Sequence, residues 1–258
     1  MSTLRVVDLG PTSYRDGLRL QEALVRSRVA ARERGEGADW LLFPEHPPVL
    51  TVGRSTRDVK LRVPREQIEA RGLEVFEVAR GGDITWHGPG QLVGYPICDL
   101  DAHGHDLHRF LRELEQAMLD VAARWGIEAR RVTGRTGIWA GEEKLASIGV
   151  AVRRWVTYHG FAFNVAPNLS DFELIDPCGL TGVHMTSMER LLGTGCPCLA
   201  EARRAAAEAV ANRLGFSNCE WMLASEAWKA AAGAPELTAP ARDARPNPAS
   251  NRVESSAA

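Results

Sequence analysis

One change of hydrophobic period, midway along the chain, constrains the fold more than any other feature. Over residues 106–125, Leu107, Phe110, Leu111, Leu114, Met118, Val121 and Trp125 recur at the i, i+3, i+4, i+7 spacing of a one-sided helix. Asp106 is a natural N-cap for it and Gly126 a natural stop. From residue 128 to 165 the pattern becomes strand-like. Runs at 136–140, 144–153 and 157–165 are punctuated by Gly134, Gly141 and Gly160, the spacing of a meander. A helix with one apolar stripe beside such a meander has to bury that stripe on the sheet. The expected class is therefore α+β, a mixed or antiparallel sheet with packed helices.

The flanking segments fit that class. Residues 1–10 alternate as a strand does. Thr12 and Ser13 offer caps for a helix to about residue 34, with Gly35 and Gly37 beyond it. Short strands are expected at 40–43, 49–52 and 73–78, with a short helix between Pro64 and Gly72 and an Ala/Glu-rich helix over 199–214. After residue 232 large apolar residues become scarce among Pro, Ala, Ser, Asn and Arg. We expect a folded catalytic domain over 1–232 and a disordered tail over 233–258, because such a composition buries too little surface to offset its ordering entropy.

Composition narrows the function classes. The net charge of −2 gives no reason to expect nucleic acid or an anionic membrane as partner. No apolar run approaches the ~18–20 residues of a membrane span, and the N-terminus, with Arg5 and Asp8, does not read as a signal peptide. Five scattered cysteines do not form a secreted disulfide framework. A cytoplasmic location is expected.

Three segments carry candidate chemistry. The glycine-rich stretch Arg80-Gly81-Gly82-Asp83-Ile84-Thr85-Trp86-His87-Gly88-Pro89-Gly90-Gln91 reads either as a binding loop or as a tight turn with a capping histidine. Lys144 opens a strand that would turn Lys144, Ala146 and Ile148 to one face. It is either a solvated hairpin lysine or a functional amine. Cys178, between Pro177 and Gly179, is presented by a turn and is either structural or a nucleophile. His103, His105, Asp106 and His108 suggest a metal site less well than they suggest a capped helix start. Cys196 and Cys198 are too closely spaced for a zinc knuckle, even with Cys219 as a third ligand.

Taken in order, these segments resemble the lipoyl (octanoyl) transferase family. The resemblance rests on Arg80-Gly81-Gly82, Thr85-x-His87-Gly88-Pro89-Gly90-Gln91, Gly134-Arg135-Thr136-Gly137-Ile138-Trp139, Lys144-x-Ala146-x-Ile148-Gly149, His159-Gly160-Phe161-Ala162-x-Asn164-Val165 and Pro177-Cys178-Gly179-Leu180. It implies a fold shared with biotin and lipoate protein ligases. It implies transfer of an octanoyl group from octanoyl-acyl carrier protein to a specific lysine of lipoyl domains, those of 2-oxoacid dehydrogenase E2 subunits and the glycine cleavage H protein, without a cofactor or a metal. It further implies Cys178 as the acyl-thioester nucleophile, activated by Lys144. Arg80, Gly81, Gly82, Asp83, Ile84, Thr85, Trp86, His87, Ser147, Ile148, Gly149, Gly160, Phe161 and Ala162 would bind substrate.

The implied chemistry is coherent. Exchange of one thioester for another is nearly neutral, and the later formation of an amide runs downhill. An ammonium beside the thiol favours the thiolate, and the same lysine can take the proton of the incoming amine. Backbone N–H groups near Gly149 or Cys178–Gly179, or His87, are candidates for the oxyanion stabiliser. The alternatives are an ATP-dependent ligase of lipoate or biotin type, a cysteine thioesterase, and a non-catalytic module that binds lipoyl domains or carrier protein. Arg130, Arg131, Arg153 and Arg154 are candidates for a carrier-protein patch.

Overall fold

A computed structural model describes residues 2–32, 34–56, 61–175 and 183–232. Cys178, with its neighbours Pro177 and Gly179, and the tail expected over 233–258 lie outside the described residues.

The chain order is β1 (Thr3–Pro11), α1 (Tyr14–Arg32), β2 (Asp39–Glu45), β3 (Val49–Val52), α2 (Arg65–Ala70), β4 (Glu74–Glu77), β5 (Ile84–His87), β6 (Gln91–Ile97), α3 (Leu107–Arg124), β7 (Ala129–Val132), β8 (Arg135–Ala140), β9 (Glu143–Arg153), β10 (Val156–Asn164), α4 (Met188–Leu192), α5 (Leu199–Leu214), β11 (Asn218–Met222) and α6 (Ala224–Ala232). Eight strands form one sheet in the order β11-β1-β2-β6-β10-β9-β8-β7. The pairs β11/β1 and β1/β2 are parallel, and the rest of the sheet is antiparallel. The expected meander is the β7–β10 half. A second, three-stranded sheet, β4-β3-β5, carries the glycine-rich loop between β4 and β5.

Alternation along the strands divides the core into two layers. Leu41 and Phe43 of β2 join Phe110, Leu114 and Met118 of α3 and the alanines of α5 on one face. Trp40 and Leu42 join Leu20, Leu24 and Val25 of α1 and Ala227 of α6 on the other. Leu114 and Met118 are fully buried, which contributes about 1.5–3 kcal/mol each. Helix starts follow the capping chemistry expected of them. Asp106 accepts the Arg109 N–H at 3.0 Å, and Ser13, rather than Thr12, accepts the Asp16 N–H at 3.1 Å.

The end of the domain holds an edge strand and a helix, β11 and α6, that the sequence reading did not anticipate. The histidines near the α3 start are engaged in polar pairs. His103 Nε2 lies 2.9 Å from Asp39 and His105 Nδ1 2.5 Å from Asp101. Cys198 is the N-cap residue of α5. Arg130 pairs with Glu142 and Arg131 with buried Glu115, so both are already engaged within the domain. Among the described residues no helix is long and apolar enough to cross a membrane.

Candidate active site

A cavity of about 580 Å³ opens between the two sheets and the start of α3. Its apolar wall comes from Leu107, Leu111, Ile148, Val150, Phe161 and Ala162, and Ile84 borders it while sharing a buried cluster with Trp86 and Leu50. Arg80, Gly81, Gly82, Asp83, Thr85 and His87 enter from the small sheet, and Lys144, Ser147, Gly149 and Gly160 from the large one. The fold thus brings together the expected substrate-binding positions, with one exception. Trp86 turns away, into a cluster with Leu50 and Phe172, because β5 is a strand and alternates. Thr85 and His87 face the cavity while Trp86 lies on the opposite side. Reading that segment as a loop concealed this.

The glycine-rich loop is stitched to the large sheet. Gly81 N–H donates to the Val150 carbonyl at 2.9 Å. A side chain at Gly149 would stand 2.6 Å from the Gly81 carbonyl oxygen, so only glycine permits this approach. Arg80 is buried and donates to the Thr51 carbonyl at 2.6 Å and to its hydroxyl at 2.9 Å. Its charge is therefore fixed at the cavity wall.

Lys144 is 2 % exposed. Its backbone N–H donates to the His184 carbonyl at 2.8 Å, and its carbonyl accepts the Thr186 N–H at 2.9 Å. Its Nζ lies 4.9 Å from the centre of the Trp139 ring, a face that attracts cations. Trp139 pairs with Lys144 across the β8/β9 ladder while Ile138 pairs with Ala146, which leaves Leu145 as an extra residue in a bulge. The bulge interrupts the strict alternation expected of Lys144, Ala146 and Ile148: Leu145 and Ala146 both enter the core.

The sequence reading named His87 and His159 but missed the ring partners that surround them at the small-sheet end. Tyr14, His46, His87, Tyr95 and His159 form a chain of ring contacts with centroids 5.2–6.4 Å apart. Four of them, all but His46, line the cavity. Burial pushes the His46 pKa down to about 4. Burial, then His46 and Arg80, push His87 to about 3, against the opposing hydrogen bond with Gln91. Burial, then Arg80, His87 and Arg54, hold His159 near 3. Burial raises both tyrosines. All five rings are therefore neutral at neutral pH. No motif signals Tyr14 or Tyr95, since each is an ordinary apolar-face residue of its helix or strand.

Residues 13–211 match the family described as the lipoyl protein ligase A/B catalytic domain. The chain is 49% identical over 204 residues to the octanoyltransferase of Geobacter sulfurreducens, covering 79% of this chain and 82% of that protein. The chain belongs to the lipoyl protein ligase A/B family. A second family member, the octanoyltransferase of Myxococcus xanthus, is 44% identical over 218 residues, 82% of this chain and 58% of that one. With such relatives, this member of the family is an acyltransferase. The fold is also that of the family's ligases. A lipoate-protein ligase A crystal structure with bound ATP superimposes at a TM-score of 0.68, with 18% identity, over 90% of this chain and 93% of that one. A putative lipoate protein ligase of T. acidophilum with bound lipoic acid gives 0.64, also at 18% identity over 90% and 93%. At that identity the family's ligases inform the fold alone.

Proposed function

We propose that the protein transfers an octanoyl group from octanoyl-acyl carrier protein to a specific lysine of lipoyl domains, through a thioester on Cys178. The acceptors are the lipoyl domains of 2-oxoacid dehydrogenase E2 subunits and the glycine cleavage H protein. The observation that carries the reading is a buried lysine in the wall of an apolar cavity, tied by both backbone hydrogen bonds to the stretch that follows Cys178. From His184 back to Cys178 is a short piece of chain, at most about 20 Å when fully extended.

In the first half-reaction the Cys178 thiolate attacks the thioester carbonyl, and the carrier's thiolate leaves, taking a proton from the Lys144 ammonium. The Lys144 ammonium favours the attacking thiolate. In the second, the amine of the incoming lysine attacks the acyl-cysteine carbonyl. Sγ leaves as thiolate, and Lys144, left neutral by the first half-reaction, takes the proton released when the amide forms. The apolar wall favours the tail by about 0.8 kcal/mol per buried CH₂, which sets a preference for chain length. Enclosure also keeps water from the acyl-enzyme.

The test is the intact mass after incubation with octanoyl-carrier protein and no acceptor. Wild type gains one octanoyl group, Cys178→Ser gains none, and Lys144→Ala gains it slowly. No adduct on wild type, with transfer still seen once a lipoyl domain is added, refutes the covalent step. Activity only with free octanoate and ATP moves the protein to the ligase branch. Release of octanoate without an acceptor makes it a thioesterase.

A further inference from the structure

Four buried polar groups run in line from the Lys144 neighbourhood to the cavity, and only one orientation of each satisfies the next. The fixed end is the Thr186 carbonyl, which can only accept. Asn164 donates to it through Nδ2 at 2.9 Å, so Asn164 Oδ1 faces the other way. Gln91 Nε2 donates to that oxygen at 3.0 Å and to the Trp86 carbonyl at 3.3 Å. Gln91 Oε1 is thereby the atom turned to His87, at 2.8 Å from Nδ1. An amide oxygen only accepts, so His87 Nδ1 carries the proton. Asn164 is fully buried and Gln91 is 1 % exposed; no water competes for these bonds, and reversing either amide would set two acceptors face to face.

We propose that Asn164 and Gln91 are positioning residues that lock His87 in the Nδ1–H tautomer, so that its Nε2 meets the substrate as a hydrogen-bond acceptor for an N–H group. Burial keeps the ring neutral, so Nε2 bears a lone pair. His87 therefore has no N–H to offer an oxyanion in the cavity, which removes it as a candidate oxyanion stabiliser. What it can hold is an N–H donor. That chemistry is present in an amide of the carrier's thiol arm and in the amine of the incoming lysine. The assignment to substrate rests on the transfer reading; the tautomer does not.

The tautomer is read directly from the imidazole ¹⁵N resonances of the ligand-free, full-length protein. His87 is expected to show a protonated Nδ1 and an unprotonated Nε2, unchanged from pH 8 to pH 6. A protonated Nε2, or an imidazolium in that range, overturns the lock. In Gln91→Leu the acceptor is gone, and the Nε2–H form should appear; an unchanged spectrum means that Gln91 sets nothing. The role is read from the two half-reactions measured separately. His87→Leu should slow one of them about tenfold, the worth of one hydrogen bond, and His87→Gln, which offers an acceptor oxygen, should recover part of the loss. Slower loading of Cys178 assigns the N–H to the carrier arm, and slower discharge to a lipoyl domain assigns it to the lysine. Unchanged rates in both steps, with the tautomer as expected, overturn the substrate role alone.

Discussion

Gly137→Ala is the substitution whose consequence is best worked from the structure. Gly137 has φ +121, outside the region that L residues populate, and its N–H donates to buried Glu115 at 3.0 Å. An added Cβ would stand 2.3 Å from the Ala146 carbonyl oxygen and 2.9 Å from Lys144 Cε. Backbone strain at such a φ costs about 1–3 kcal/mol. Overpacking against a backbone oxygen that cannot swing aside adds about 1–3 kcal/mol. The expected loss is therefore about 2–6 kcal/mol, a fall in melting temperature of roughly 5–20 °C for a domain of this size. Relief of the clash moves β9 or the Lys144 stem, and a shift of about 1 Å at a reacting group costs about a hundredfold in rate. Gly134→Ala is the control. Gly134 has φ +76 and open space around its missing Cβ, so it should lose only about 1–2 kcal/mol. Thermal melts of both variants, and single-turnover octanoyl loading measured well below both transitions, separate strain from contact. A Gly137→Ala protein as stable as Gly134→Ala, loading at the wild-type rate, would refute the reasoning that Gly137 makes room for the lysine.

Three further outcomes are expected. Trp139→Leu removes the ring face beside Lys144 Nζ, worth about 0.5–2 kcal/mol; loading should slow by roughly 2- to 30-fold, with Trp139→Tyr retaining most of the rate, and equal rates in the two variants would discount the contact. His46, His87 and His159 are held neutral, with pKa values near 4, 3 and 3 against 6.5 in the unfolded chain. Lowered histidine values mean that the unfolded chain binds more protons, so stability is full above about pH 6.5 and falls as pH drops toward 4, by at most about 4 kcal/mol per pH unit. Urea titrations from pH 7.5 to 5 check this, and a flat profile would show that the three rings are not buried neutral. Asp106→Ala should cost about 1 kcal/mol through the lost cap of α3, seen as a lower urea midpoint at unchanged slope; an unchanged midpoint would mean that the cap is replaced by solvent at no cost.

Elements with a strong local period were legible in the sequence. The α3 stripe and the β8–β10 meander are found where their patterns put them, and the 199–214 helix where its Ala- and Glu-rich composition did, since each is anchored in a continuous core. The chain end was not. Edge strand β11 is largely exposed and shows no alternation, and α6 begins an alanine-rich stretch that merges with the low-complexity tail. Within the site, glycines and charged residues marked the binding segments, whereas Tyr14 and Tyr95 look like any half-apolar residue of a helix or strand. Trp86 was misassigned because a strand's alternation was hidden by the glycines around it.

By itself, then, the sequence determined the class of fold and marked the segments that come to line the cavity, and its ordered motifs carried a family resemblance that pairs Lys144 with Cys178 in one chemical proposal. The first two follow from local pattern and residue chemistry, which need no partner to be recognised. Only the tertiary structure decided how the polar groups are oriented. The bulge at Leu145, the close approach of Gly149 to Gly81 and the chain from Thr186 through Asn164 and Gln91 to His87 join residues far apart in sequence. Hydrogen-bond direction, burial and the loss of charge on three histidines are properties of that assembly, because each depends on what the fold brings up against a side chain and on the water it removes.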